Sequence, residues 1–140
     1  MFRRTIGVLL LLGLPLQAAP HKLWSHTEMQ HHLEESFRHL NDGYFNGTLP
    51  PTIVHYSDVP SGEDDIGFSA CDVNDDGTAA TSCEIWVVPF YNNTANAADL
   101  TLAHEICHTV AVGKEDADHG PIWQACMKNL AREDAFERLW

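Results

Sequence analysis

The stretch His104-Glu-Ile-Cys-His108 constrains this chain more than any other. On an α-helix, residues four apart lie about 40° apart around the axis, so His104 and His108 can direct two imidazoles to one point. Glu105 lies about 100° round from His104, beside that point. Two imidazoles and a flanking carboxylate form the metal-binding face of zinc hydrolases, in which the carboxylate moves protons. The stretch therefore predicts a helix that carries most of a metal site.

The residues around this motif predict a buried helix, because almost all of them are apolar. The apolar positions are Ala98, Leu100, Leu102, Ala103, Ile106, Cys107, Val110, Ala111 and Val112. A buried carboxylate and two buried imidazoles are costly without a partner. A bound cation would remove that cost for all three groups, which strengthens the prediction of a metal.

Two histidines do not complete a catalytic zinc site, which usually has three protein ligands and an open fourth position. Gly113 suits the end of the motif helix, and Pro121 suits the first turn of the next helix. His119 lies at the junction between loop and helix, where the chain can turn back, and we predict it as the third ligand. Three acidic residues compete for that position: Asp116, Asp118 and Glu133.

These residues resemble a known family. The motif helix, a short acidic loop and His119-Gly-Pro-Ile-Trp123 are similar to the SprT-like, or Spartan-type, metallopeptidases. The stretch Leu33–Pro51 resembles the opening helix of that family and its Leu-Pro-Pro exit. The resemblance extends over about residues 25–130.

The resemblance implies an α+β, minigluzincin-like domain with an N-terminal helix, a small three-stranded sheet, the motif helix and a C-terminal helix. It also implies a zinc-dependent metallopeptidase that hydrolyses peptide bonds. Its Zn²⁺ ion would be held by His104, His108 and His119, and Glu105 would be the catalytic acid and base. The DNA-linked role of some relatives is not carried over, because this chain shows no Cys-rich zinc ribbon and no basic arm.

The N-terminal residues have the pattern of a secretory signal peptide. Arg3 and Arg4 precede an apolar run, residues 5–16, which is too short to span a bilayer, and small residues follow it. We assign residues 1–19 to the signal peptide and 20–140 to one exported domain, secreted or periplasmic. A retained N-terminal anchor is the alternative.

Acidic residues dominate the charge: 20 Asp and Glu oppose 8 Lys and Arg, for a formal net charge of −12 at pH 7. Such a surface repels phosphate backbones, so we expect no nucleic-acid partner. We expect no membrane partner after signal cleavage, and a monomer that acts on a protein or peptide substrate.

Local patterns predict the remaining elements. Residues 25–45 form an amphipathic helix that opens with a capping box at Ser25 and Glu28. Residues 52–57, 66–72 and 83–88 read as strands, with a hairpin turn at 74–77 between the last two. Residues 120–133 form the last clear helix.

The four cysteines suggest two pairs. Cys71 and Cys83 lie symmetrically about Gly77, so in an exported protein they predict a disulfide across the hairpin. Cys107 and Cys126 are either a second disulfide, linking the motif helix to the last helix, or two buried thiols.

Two other functions remain open from the residues alone. One is a non-catalytic zinc-binding exported domain. The other is a calcium- or partner-binding secreted module based on the acidic segment Asp72–Gly77, which is disfavoured for calcium because Cys83 stands where a calcium loop needs glutamate. The residue that stabilises the oxyanion is unknown, and Tyr91 and His55 are weak candidates.

Overall fold

A computed structural model of the chain describes residues 22–62, 65–116, 118–133 and 135. The predicted signal peptide and the tail 136–140 lie outside these residues. The elements follow in the order α1 (His26–Tyr44), β1 (Thr52–His55), β2 (Gly67–Val73), β3 (Ala80–Val87), α2 (Ala95–Ala111) and α3 (Pro121–Arg132). The predicted α+β class is confirmed.

Helix α1 begins where the capping box predicts. The Ser25 hydroxyl accepts the backbone N–H of Glu28 at 3.2 Å, and the Glu28 carboxylate accepts the backbone N–H of Ser25 at 2.9 Å. Both contacts satisfy N–H groups that have no partner within the helix. The helix then buries Met29, Leu33 and Leu40 against α2 and β1.

The three strands form one sheet in the order β1-β3-β2. The β2–β3 hairpin is antiparallel, as predicted, and pairs Cys71 with Cys83. Strand β3 begins at Ala80, earlier than predicted, because the pairing continues beyond this disulfide to an irregularity between Asp72 and Val73. Strand β1 pairs in parallel with β3, which local patterns did not predict.

Both cysteine pairs are disulfides. Cys71–Cys83 crosses the hairpin with a Cα–Cα distance of 4.1 Å, which confirms the prediction. Cys107–Cys126 joins α2 to α3 with a Cα–Cα distance of 5.6 Å, so the alternative of two buried thiols is wrong.

Helix α2 lies at the centre of the fold and contacts β2, β3, α1 and α3. Its predicted burial is confirmed at most positions, since Leu102, Ile106 and Cys107 are fully buried in the main core. Leu100 is the main exception, with 43% of its surface exposed. The central position of α2 holds the motif residues against the sheet on one side and α3 on the other.

Candidate metal centre

The three predicted histidines converge. His104 and His108 are one turn apart on α2, and their Nε2 atoms lie 3.1 Å apart. His119, in the loop before α3, places its Nε2 3.2 Å from that of His104. Two zinc–nitrogen bonds of about 2.0–2.1 Å at a tetrahedral angle would separate two nitrogens by about 3.3 Å. The arrangement therefore fits three ligands of one tetrahedral ion.

The two imidazoles on α2 are held in the neutral state that metals require. Burial, reinforced by the neighbouring His108 and His119, lowers the pKa of His104 to about 4. Burial is also the main cause of the lowered pKa of His108. Because their pKa values lie below neutral, both rings are uncharged at pH 7 and keep a lone pair, which is the form that metals bind.

The acidic competitors do not join this group. Among the described residues, the cluster suited to a metal consists of His104, His108 and His119. The exposed carboxylate of Asp118 lies 3.7 Å from Nδ1 of His108 and 3.8 Å from Nδ1 of His119, not beside the convergent Nε2 atoms. Glu133 lines a separate groove between α3 and the end of α1.

Glu105 is the buried acid of the site, with 6% of its surface exposed. Burial raises the pKa of its carboxyl to about 7, with smaller contributions from the charges of Asp118 and Asp65, whereas a hydrogen bond with Ser69 opposes the rise. Gly67 on β2 makes room for it, because a Cβ there would lie 3.0 Å from Glu105 Oε1. The carboxyl group is thus held against β2, and in the metal-free protein it is partly protonated at neutral pH.

Trp123 forms an aromatic wall behind the histidines. Its ring centroid lies 4.3 Å from that of His119 and 4.8 Å from that of His104. Its indole N–H donates to the backbone carbonyl of His104 at 3.3 Å. The tryptophan belongs to the motif that resembles the family, but no role for it could be predicted from that motif.

The site opens into a cavity of about 740 Å³ between β2, α2 and the loop before α3. Ile66, Phe68 and Leu100 give it an apolar border, and acidic residues of the loop line it elsewhere. Tyr91 and His55, the weak oxyanion candidates, are not among the described residues that line it. His55 instead pairs with Glu84 at 2.7 Å.

Sequence reasoning missed several residues that build the site. Asn92 is buried, accepts the Thr101 hydroxyl at 2.7 Å and donates to the Ile66 carbonyl at 2.8 Å, which joins the start of β2 to α2. Glu115 accepts two backbone N–H groups of α3. Glu115 could have been anticipated from Gly120 and Pro121, which start a helix but supply no side chain to cap it, so that an acid from elsewhere is needed.

A comparison with protein-family models identifies the family that the sequence motifs resemble. The model of the SprT-like family matches residues 33–138, a span that includes all three histidines and Glu105. Searches of the curated proteins and of the solved structures found no significant match.

Proposed function

The chain belongs to the SprT-like family, and on this premise we propose that it is an exported zinc metallopeptidase that hydrolyses peptide bonds. Family membership supports a metallopeptidase-like domain. The observation that carries the proposal further is the convergence of three imidazoles beside a buried carboxyl group, Glu105.

His104, His108 and His119 would hold the ion through their Nε2 atoms. Three imidazole nitrogens, with a fourth position left open, suit Zn²⁺ and match the ligand number of catalytic zinc sites. When bound, zinc supplies a Lewis acid that acidifies water and polarises a carbonyl group.

Glu105 would move the protons of the reaction. Its carboxylate would accept a proton from the attacking water and then donate it to the nitrogen of the leaving amine. In the metal-free protein burial raises the pKa of this carboxyl group to about 7, which favours a group that both accepts and returns a proton. Ser69 and the space left by Gly67 would keep the carboxyl group in place.

Strand β2 would bind the substrate. It is an edge strand of the sheet, and Gly67, Phe68 and Ser69 line the cavity. An extended peptide could pair with this edge by strand addition, which would lay its backbone across the site. Ile66 and Leu100 border the same cavity with 57% and 43% of their surfaces exposed, so they would accept an apolar side chain.

The cellular location is also part of the proposal. Two disulfides suggest an oxidising environment, as in the periplasm or outside the cell. No helix among the described residues is long and apolar enough to cross a membrane. The two disulfides, together with the signal-peptide pattern of residues 1–19, support export of residues 20–140, which we propose act as a monomer. The negative net charge supports a protein or peptide substrate over a nucleic acid.

Glu105→Gln tests the proposal directly. The variant should retain one zinc per chain, because it keeps the three histidines, but should hydrolyse an unfolded protein such as casein at least ~10²-fold more slowly. A chelator should abolish wild-type hydrolysis, and added zinc should restore it. Glu84→Gln, in an exposed carboxylate that pairs with His55, is the matched control and should leave the rate unchanged.

Two results would contradict the proposal. Full hydrolysis by Glu105→Gln would remove the assigned acid and base. A zinc-loaded wild-type protein that cleaves no unfolded substrate would instead favour a non-catalytic zinc-binding domain.

A further inference from the structure

The loop that carries His119 has no secondary structure of its own to fix the third imidazole. Unlike His104 and His108 on α2, His119 is exposed and lies between the end of α2 and the start of α3. Its ring can meet the other two only if other contacts hold the loop.

Glu115 closes this loop onto the start of α3. Its Oε2 accepts the backbone N–H of Ile122 at 2.9 Å, and its Oε1 accepts the backbone N–H of Trp123 at 3.0 Å. These N–H groups belong to the first turn of α3, where a helix leaves its donors without partners and favours negative charge. No other described side chain caps this helix, and its N-cap residue, Gly120, has none to offer.

Gly120 leaves room for the carboxylate of Glu115. A Cβ at Gly120 would lie 2.5 Å from Glu115 Oε2, closer than any ordinary contact. Its φ of −72° is accessible to any residue, so the reason for glycine here is space and not backbone conformation. Gly120 thus has no side chain because the carboxylate of Glu115 occupies the space where a Cβ would lie.

The same contacts determine where His119 lies. Glu115 holds the backbone of Trp123, and the indole N–H donates to the His104 carbonyl, so the ring packs against the rings of His119 and His104. The Gln124 side-chain amide, on the same first turns of α3, donates to the His119 carbonyl at 2.9 Å. A chain of contacts therefore runs from Glu115, through the start of α3, to the third imidazole.

We propose that Glu115 is a positioning residue for the metal centre, which holds His119 in place through the first turn of α3. This inference rests on the proposed function, since it takes the three histidines as the ligands of zinc. Glu115 is not a ligand itself, because both of its oxygens accept backbone N–H groups and it lies outside the cluster of histidines.

The rival explanation is charge alone, since any acid near the site would attract a cation. Asp116 provides the matched control: it is the adjacent residue, it is acidic, exposed and lines the same cavity. Glu115→Gln and Asp116→Asn each remove one negative charge and keep the side-chain shape. Only the first weakens the cap on α3, because an amide offers one oxygen where the carboxylate offers two.

The test measures zinc affinity by chelator competition and the absorption spectrum of the Co²⁺-loaded protein. Loss of a supporting contact around a metal site typically costs about 10–100-fold in affinity. We expect Glu115→Gln to lose about tenfold or more, with a Co²⁺ spectrum displaced towards that of His119→Ala. Asp116→Asn should lose less than about threefold, with an unchanged spectrum. Equal losses in the two variants, or an unchanged Glu115→Gln, would overturn the inference.

Gly120→Ala tests the contact from its other side, and its own zinc affinity serves if the Glu115 variants fold poorly, since an unchanged affinity would then contradict the inference. It should weaken zinc binding in the wild type but add little in a Glu115→Ala background, where no carboxylate is left to displace. Full additivity of the two substitutions would contradict the inference. A wild-type protein that binds no zinc would contradict the proposed function instead, so the two failures are distinguishable.

Discussion

The metal centre joins two regions that are held in different ways. In the helical region, His104 and His108 are spaced by α2 itself, and the neighbouring Ile106 and Cys107 are fully buried in the core. In the loop region, His119 is exposed and depends on side-chain contacts from residues around it. Two of the three predicted ligands are therefore placed by local helix geometry, whereas the third is placed by tertiary contacts.

Loss of a histidine from either region should have the largest effect. Structural zinc sites with four ligands bind with about 10–16 kcal/mol, or about 3 kcal/mol per ligand, so His104→Ala and His119→Ala should each weaken zinc by about 10²–10³-fold. The two variants should differ without metal. His104→Ala should lower the melting temperature of the metal-free protein because it removes a partly buried side chain from the packed helix α2, whereas His119→Ala, at an exposed loop position, should lower it less. Unchanged zinc affinity in His119→Ala would place the third ligand elsewhere.

The two disulfides offer the next contrast. Replacing either pair with serines should cost about 3 kcal/mol of unfolding free energy, since the bridged residues are 19 and 12 positions apart. Only the loss of Cys107–Cys126 should also weaken zinc binding, because this bridge joins α2 to α3 and encloses the loop of His119. Denaturant titration and chelator competition measure the two effects. Equal zinc affinities in the two double variants would show that the Cys107–Cys126 bridge does not help to place His119 beside the other two histidines.

The buried groups of the helical region should give the metal-free protein an unusual pH dependence. Glu105, whose pKa rises to about 7, favours the protonated state when folded, so its contribution to stability is lost as the pH rises from about 4.5 to 7. His104, whose pKa falls to about 4, acts in the opposite direction, and its contribution is lost as the pH falls from about 6.5 to 4. The two trends oppose each other over much of this range.

Glu105→Gln should remove one of the two trends. Relative to the wild type, the metal-free variant should gain on the order of 2 kcal/mol of unfolding free energy between about pH 4.5 and 7. Denaturant titrations of the chelated proteins across this range measure the difference. Parallel stability curves for the two proteins would show that Glu105 ionises normally in the folded state.

Asp118→Asn should have the smallest effect, although Asp118 belongs to the loop region. The carboxylate is exposed, and it lies more than 3.5 Å from the ring nitrogens of His108 and His119. The variant should lose only a few-fold in zinc affinity, and the loss should shrink in 1 M salt because exposed charges are screened. A loss as large as that of His119→Ala would make Asp118 a ligand.

The sequence predicted the helical region well because its information is local. Periodicity predicted α1 and the capping box its start, whereas the spacing of the motif and its apolar neighbours predicted α2. The turn signal at 74–77 predicted the hairpin, and the symmetry of Cys71 and Cys83 about Gly77 predicted its disulfide. The loop of His119 was bounded correctly because Gly113 and Pro121 mark helix ends, and Gly113 has a positive φ of 72°.

The sequence could not predict contacts between distant residues. The parallel pairing of β1 with β3 leaves no local signature, since it depends on which strand the hairpin presents to β1. The Ser69 contact to Glu105 and the packing of Trp123 on the imidazoles likewise arise only when separate elements meet. The sequence alone therefore left three acidic residues as alternatives to His119. In the folded protein the cluster suited to a metal contains, among the described residues, only the three histidines.

Diffraction from crystals of the zinc-loaded protein at the zinc absorption edge would test the metal centre most directly. We predict one anomalous peak about 2.0–2.1 Å from the Nε2 atoms of His104, His108 and His119, with no fourth protein ligand. A peak too far from His119 for a zinc–nitrogen bond, or an ion with a fourth protein ligand, would contradict a catalytic zinc centre shared by the helix and the loop.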